Sequence, residues 1–268
     1  MTPRARAHAA FVMAAILVAP AWSSAPRNGS PAAATGDSRA LGIIERAIEA
    51  HGGRQAWLGK KDAAFTTTWT HYRGGQRSFT SRYLVKFPID SGPVRTVVEG
   101  DENGKPVLMG ISGSRSWFVV GEEHYEDLES LRANRAFVRR AYGLLALPFR
   151  LEDPSYSYSY DGEEVRAGAV MDRVRVEHGL EPPSLYLFDR ETGRLAGLGS
   201  PVSHPPTAMV SQNHDFIQVD GILIPRVQVY ERVDALTGGR SKALTVSVND
   251  VRFGNGFSAE TFEPPPRQ

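Results

Sequence analysis

Apolar and polar residues follow three different rhythms along this chain. From Ala9 to Ala21 the side chains are almost uniformly apolar, interrupted only by Pro20 near the end. Arg4 and Arg6 precede the run, no acidic residue occurs before Asp37, and Ala19 and Ala21 form an A-x-A-like cleavage site. At about 13 residues the run is shorter than the roughly 20 that a membrane-spanning helix needs. Residues 1–21 therefore read as an export signal, with cutting after Ala25 as the alternative. From Ser23 to Gly36 there is almost no bulky apolar side chain, and residues 22–36 read as a flexible linker.

The second rhythm is helical. Leu41, Ile44, Ala47 and Ile48 recur on one face, Asp37 or Ser38 is placed to cap the helix, and Gly52-Gly53 ends it. A short turn around Gln55 to Leu58 carries Trp57.

The period then changes to two. Phe65, Thr67, Trp69 and His71 alternate with Thr66, Thr68, Thr70 and Tyr72, and after the Gly74-Gly75 turn Phe79, Ser81, Tyr83, Val85 and Phe87 share a face. This is a hairpin with one apolar and one wet face. Further strands are predicted at Val94 to Val98, Pro106 to Ile111 after the Asn103-Gly104 turn, and Ser116 to Val120. From Leu128 to Leu147 the pattern is helical again, with Arg132, Arg135, Arg139 and Arg140 on its polar side and Pro148 closing it. Strands resume at Tyr156 to Tyr160, Val170 to Glu177, Ser184 to Phe188 and Arg194 to Leu198. A Pro-rich loop from Pro201 to Pro206 leads to the last three, at His214 to Val219, Ile222 to Tyr230 and Lys242 to Val251. The pattern predicts a mainly β protein with helices (α+β). Its core is a curved antiparallel sheet or unclosed β-barrel of about ten or eleven strands, covered by the N-terminal helix and the inserted helix. Residues 37–268 show neither an internal repeat nor a second linker, so they read as one domain.

Composition narrows the chemistry. The chain has no cysteine, which excludes thiol catalysis, zinc–thiolate sites and iron–sulfur clusters, and also the lipid-attachment cysteine of an exported lipoprotein. With Lys+Arg 31 against Asp+Glu 30, no net charge points to nucleic acid. The histidines fall in no metal-binding motif, and Glu122 to Asp127 around His124 reads as a solvated acidic turn before a helix. Gly110-Ile111-Ser112-Gly113 lacks the spacing of a nucleophile elbow, and no phosphate-cradling glycine loop is present. No catalytic residue, cofactor or metal is therefore assigned. An enzyme built on a carboxylate–histidine pair, at His124 or His214, remains as a lesser alternative.

Five stretches, taken in order, resemble the lipoprotein-sorting carrier superfamily (LolA/LolB-like exported proteins). They are Ala50-His51-Gly52-Gly53 before a Trp and a Thr-rich strand, Leu147 to Pro154, Tyr186 to Leu195, Asp220 to Pro225, and Phe262-Glu263-Pro264. The resemblance implies an unclosed β-barrel with a helical lid, holding acyl chains in an apolar cavity. It transfers no binding residue, because the matching motifs carry none of the cavity positions.

On the apolar strand faces and the inserted helix, the candidate lining is Trp69, Tyr83, Phe87, Trp117, Phe137, Tyr142 and Leu145. The same side chains equally suit an ordinary core. Two functions follow: a soluble periplasmic carrier for a lipid or acylated protein, monomeric and touching membranes transiently, or a non-catalytic envelope interaction protein with a filled interior.

Overall fold

The computed structural model describes residues 35–266 apart from 91, 103, 179–182, 200–206 and 235. The predicted export signal, most of the linker and the Pro-rich loop lie outside the described residues. The chain opens with β1 (Thr35–Gly36), α1 (Ser38–Ala50) and α2 (Gly53–Leu58). A meander follows: β2 (Asp62–Arg73), β3 (Gln76–Pro88), β4 (Arg95–Glu102), β5 (Lys105–Ser112), β6 (Arg115–Val120) and β7 (Glu123–His124). Helix α3 (Leu128–Arg150) precedes the second run of strands, β8 (Tyr156–Arg166), β9 (Ala169–His178), β10 (Ser184–Asp189) and β11 (Leu195–Gly199). The last strands are β12 (Thr207–Val219), β13 (Ile222–Asp234) and β14 (Arg240–Phe253).

All of these strands form one sheet in the order β1-β8-β9-β10-β11-β12-β13-β14-β2-β3-β4-β5-β6-β7, with no pairing between its two ends. The count is fourteen rather than ten or eleven. Two of the extra strands, β1 and β7, have two residues each, too few to show any periodicity. The sheet is also mixed rather than wholly antiparallel, because β1 runs parallel to β8, pairing Thr35 with Ser157 and Gly36 with Tyr158. The last residues assigned to the linker are thus part of the sheet.

Alternation along β2 and β3 places Phe65, Thr67, Trp69, His71, Tyr83, Val85 and Phe87 inward, as the period of two dictates. The helices cover that face. Asp37 caps α1 by accepting from the Ala40 N–H at 2.8 Å, and its second oxygen accepts from the Tyr160 N–H at 2.6 Å, tying the helix start to β8. Ile43, Ile44 and Ile48 of α1 are almost wholly buried, each stabilising the fold by about 2 kcal/mol.

Helix α3 continues three residues past its predicted end, through Pro148 to Arg150. In the last turn a proline forfeits a single backbone bond, and Pro148 and Phe149 are held by burial. The sheet curls around this helix. Asn134 donates to the Gly110 carbonyl on β5 at 3.4 Å, while the Arg140 guanidinium lies 4.8 Å from the Tyr230 ring on β13. Six residues of helix rise about 9 Å, whereas five strand spacings in a flat sheet span about 24 Å. Curvature and the reach of the arginine make up the difference.

The C-terminal segment closes over the other face of β4 to β6. Asp62 accepts from the Asn255, Gly256 and Phe257 N–H groups at 2.6, 2.9 and 3.2 Å and from the Asn255 side-chain amide at 2.9 Å. Burial pushes the Asp62 carboxyl up, and these four bonds outweigh it and hold the group below its ordinary range. The short 3-10 turn Ala259–Phe262 then packs Phe262 onto Val97 and Trp117. Replacing Asp62 with alanine removes every one of those bonds; the expected cost is about 2–3 kcal/mol in urea unfolding. Proteolytic nicking should also rise within residues 254–266 before the core is attacked.

Candidate functional site

Six of the seven predicted lining residues come together where α3 crosses the sheet. Phe137 lies 4.9 Å from Trp69 and 5.1 Å from Tyr83 between ring centroids, and Tyr142 meets Phe87 edge-on at 4.9 Å. Leu145 belongs to the same buried cluster. At the far end of the helix Phe149 stacks on Trp57 at 4.4 Å and 7°. The seam is thus a set of aromatic contacts between α3 and strands β2 and β3, extended to α2 by Trp57. Trp117 is the exception. It points to the opposite face of β6, over Gly110, where an added Cβ would come within 2.1 Å of the indole. An odd-numbered neighbour of the inward Ser116 and Phe118 must face outward, and the indole fills the space that glycine leaves.

Polarity rises along the inward stripe of β2. Phe65 is followed by Thr67, Trp69 and His71, all at least 95% removed from solvent. The Thr67 hydroxyl and the Trp69 indole N–H have no hydrogen-bond partner among the described residues. The His71 ring stacks on Phe79 at 4.1 Å. Burial, and then the charge of Arg140, lowers the His71 pKa to about 4, so the ring is neutral at neutral pH. Beside it Tyr230 donates to Gln228 at 2.7 Å, and burial raises its pKa. Burial likewise raises Tyr83, and Tyr142 to about 12.

The arginines of α3 do not form a solvated face. Arg132 is exposed, but Arg135 donates to the Gly113 carbonyl at 3.1 Å and also to that of Ser114, Arg139 is buried, and Arg140 turns inward over Tyr230. The helical period of the sequence correctly gave their side of the helix. It could not give the curl of the sheet that reaches around to cover them.

Three of the resemblance motifs meet at one place, the end of α1. The His51 Nδ1–H donates to the Leu223 carbonyl at 2.8 Å, and its Nε2 accepts from the Leu195 N–H at 3.2 Å. The first partner follows the Asp220-Gly221 turn, and the second follows the Asp189-to-Arg194 turn. Gly52 (φ 115°) approaches so closely that a Cβ there would lie 2.2 Å from the Gly221 carbonyl oxygen. His51 is therefore a docking post with both nitrogens committed to backbone. His124 and His214, the other positions weighed for acid–base chemistry, are exposed. Among the described residues no group of three or more His, Asp or Glu side chains gathers as metal ligands would.

Burial lowers the His51 pKa to about 4. An unfolded histidine binds its proton below about 6.5, so between pH 6.5 and 4 the unfolded chain holds protons that the folded one refuses at His51 and His71. Stability is full above that window and falls as pH drops through it, by up to about 3 kcal/mol for His51. Urea midpoints at pH 7, 5.5 and 4 should decline in that order, and a flat profile would contradict the neutral docking of the ring.

No protein-family model and no curated protein matches the chain. Solved structures do. A DUF1329-family protein from Desulfovibrio piger aligns with a TM-score of 0.54 at 12% identity, over 84% of this chain and 97% of that one. A domain assigned to outer membrane lipoprotein sorting, from Vibrio parahaemolyticus, gives 0.55 at 14% identity, over 84% and 96%. A LolA-superfamily protein from Nitrosomonas europaea gives 0.55 at 13%, over 84% and 97%. An unclosed sheet covered by crossing helices, matched over nearly the whole length of these structures, is the fold of the LolA superfamily, and it is the fold of this chain.

Proposed function

We propose that this protein is an exported, non-catalytic carrier for a lipid or acylated partner, with α3 as the lid. The observation that carries the reading is the aromatic seam. The largest inward side chains of β2 and β3 are covered by one helix that makes no strand pairing and is joined to the sheet through side chains. Lifting α3 uncovers Trp69, Tyr83 and Phe87 together, and an acyl chain laid against them replaces the contacts of Phe137, Tyr142 and Leu145 at about 0.8 kcal/mol per buried CH₂. The fold shared with lipoprotein-sorting proteins supports this reading. Export rests on the signal-like residues 1–21. Among the described residues no helix is long and apolar enough to cross a membrane.

A second reading is favoured by one feature. Trp69, Tyr83, Phe87, Phe137, Tyr142 and Leu145 are each at most 6% exposed, as in an interior filled by its own side chains. In that case the protein is an envelope interaction module.

A reversible lock on α3 separates the two. The Asn134 amide lies 2.8 Å from the Ser116 hydroxyl, and the chain has no cysteine of its own. The double variant Asn134→Cys, Ser116→Cys therefore places a single disulfide between helix and sheet. Displacement of a fluorescent fatty acid should fall about tenfold in the oxidised form and recover on reduction. Binding that is indifferent to the lock, or absent in the wild type, removes the carrier reading.

A further inference from the structure

Two hairpin turns at one end of the sheet carry side chains that the fold itself does not use. Strands β2 and β14 are antiparallel neighbours with Leu244 opposite His71, so the β2–β3 and β13–β14 turns lie side by side. They also project. Tyr83 pairs with Gly100, which brings Glu102 at the end of β4 level with Ser81. From that level β3 runs on to Gln76, about 15 Å further.

Leu236 stands at the apex of the β13–β14 turn and is 83% exposed. The turn is fastened in this shape. The Asp234 carboxylate accepts from the Leu236 and Thr237 N–H groups at 2.9 and 3.0 Å. The Asp234 carbonyl accepts from the Gly238 N–H at 2.8 Å, and its N–H donates to the Gly239 carbonyl at 2.9 Å. Leucine is thus held in water at a tip where any polar residue would be cheaper.

The surroundings of that tip are basic. Arg73, Arg77, Arg232, Arg240 and Lys242 are all exposed on the two hairpin ends, against Glu231 and Asp234. Glu231 already pairs with Arg240 at 3.4 Å, and Asp234 is spent on its own turn. The acidic residues Glu102, Glu122 and Glu123 belong to the neighbouring turns, which are set back to the level of the end of β4. That setback exceeds the Debye length of about 8 Å, so positive charge dominates at the tips.

A single apolar apex among cations is complementary to an anionic lipid surface, where head groups meet the arginines and the leucine enters the acyl boundary. A specific protein partner would need roughly 20–30 residues a side, more than two turns present. We propose that Leu236, Arg73, Arg77 and Arg232 form a docking tip for membranes rich in anionic phospholipid. The tip stands apart from the carrier reading, since docking needs no cargo.

The test is sedimentation of the exported protein with two kinds of vesicle. One kind contains phosphatidylglycerol and phosphatidylcholine in equal parts, and the other phosphatidylcholine alone. The wild type should bind the mixed vesicles only, and raised salt should release it. Each cation near an anionic surface is worth about fivefold, so the double variant Arg73→Gln, Arg77→Gln should bind about twentyfold more weakly. Leu236→Ser should bind about tenfold more weakly. Leu236→Trp should add blue-shifted emission on mixed vesicles, quenched by brominated acyl chains, over the wild-type baseline.

Equal binding to both vesicles, or variants that bind as the wild type does, overturns the docking tip. So does a Leu236→Trp emission that does not move on vesicles the protein binds, because another surface then meets the membrane. Should the double variant melt below the wild type, the Leu236→Trp readout decides alone. Absence of sedimentation with either vesicle also overturns the tip. Displacement of a fluorescent fatty acid, measured without vesicles, tests the carrier reading separately and should be unchanged in every tip variant.

Discussion

An open sheet with one apolar face cannot leave that face in water, and this constraint organises everything else in the molecule. Among the described residues the sheet has fourteen strands, and the two longer helices supply the cover of its apolar face. They do so by different means. Helix α1 is fastened at both ends by hydrogen bonds to backbone, through Asp37 at its start and His51 beyond its end. Along the seam, α3 meets β2 and β3 through aromatic packing, and its polar anchors to β5 and β6 cluster near Asn134 and Arg135. Directional bonds to fixed carbonyls hold a position tightly. Aromatic contacts tolerate sliding and exchange with another apolar surface. The same need for cover is thus met by one helix fastened at both ends through directional bonds and one packed along an aromatic seam.

The fastening of α1 explains why weak motifs in the sequence belong together. Gly52-Gly53, the Asp189-to-Arg194 turn and the Asp220-Gly221 turn each look like ordinary turn chemistry. In the structure they are the three sides of a socket around His51, where a Cβ at Gly193 would lie 3.2 Å from the Arg46 carbonyl oxygen. Their spacing in the chain reflects the geometry of docking, not the chemistry of a ligand. That is consistent with a resemblance that reports the fold and leaves the cargo open. A ring of charge reinforces the same edge. Asp172, almost wholly buried, accepts from Arg190 at 3.2 Å, with Arg39 and Arg46 within 3.8 and 3.7 Å. Such a pairing fixes position more than it adds stability, since desolvation offsets much of the attraction.

Much of this was legible in the sequence because β-strand periodicity reports directly which face a side chain occupies. The stripe from Phe65 to His71 and the stripe from Phe79 to Phe87 were readable residue by residue, as was the face of α3 that carries Phe137, Tyr142 and Leu145. Three things were not. Strands of two residues have no period, so β1 and β7 escaped, and with them the parallel edge. Trp117 was misplaced because its strand is apolar on both faces, the outer one being covered by Phe262 from a segment about 145 residues away in sequence. The role of Arg140 needed the curvature of the sheet, a property of all the strands together. Long-range contacts decide such features, and local pattern holds no record of them.

The polar row on β2 is where pattern and packing disagree, and the disagreement has a physical meaning. A sequence selected only to fill a core would place valine where Thr67 stands, because an unsatisfied buried hydroxyl costs about 1–3 kcal/mol. Neighbouring positions on β14 do carry such residues: Leu244 is paired with His71, Val246 with Trp69 and Val248 with Thr67. On the inward face of β2 polar residues thus alternate with aromatic ones where the facing positions of β14 are aliphatic. Other buried side-chain atoms without partners among the described residues lie at Thr96 on β4, Trp117 on β6 and Thr245 on β14. The cost of these buried polar atoms is therefore spread over the sheet, and the aromatic and aliphatic side chains packed around them carry it.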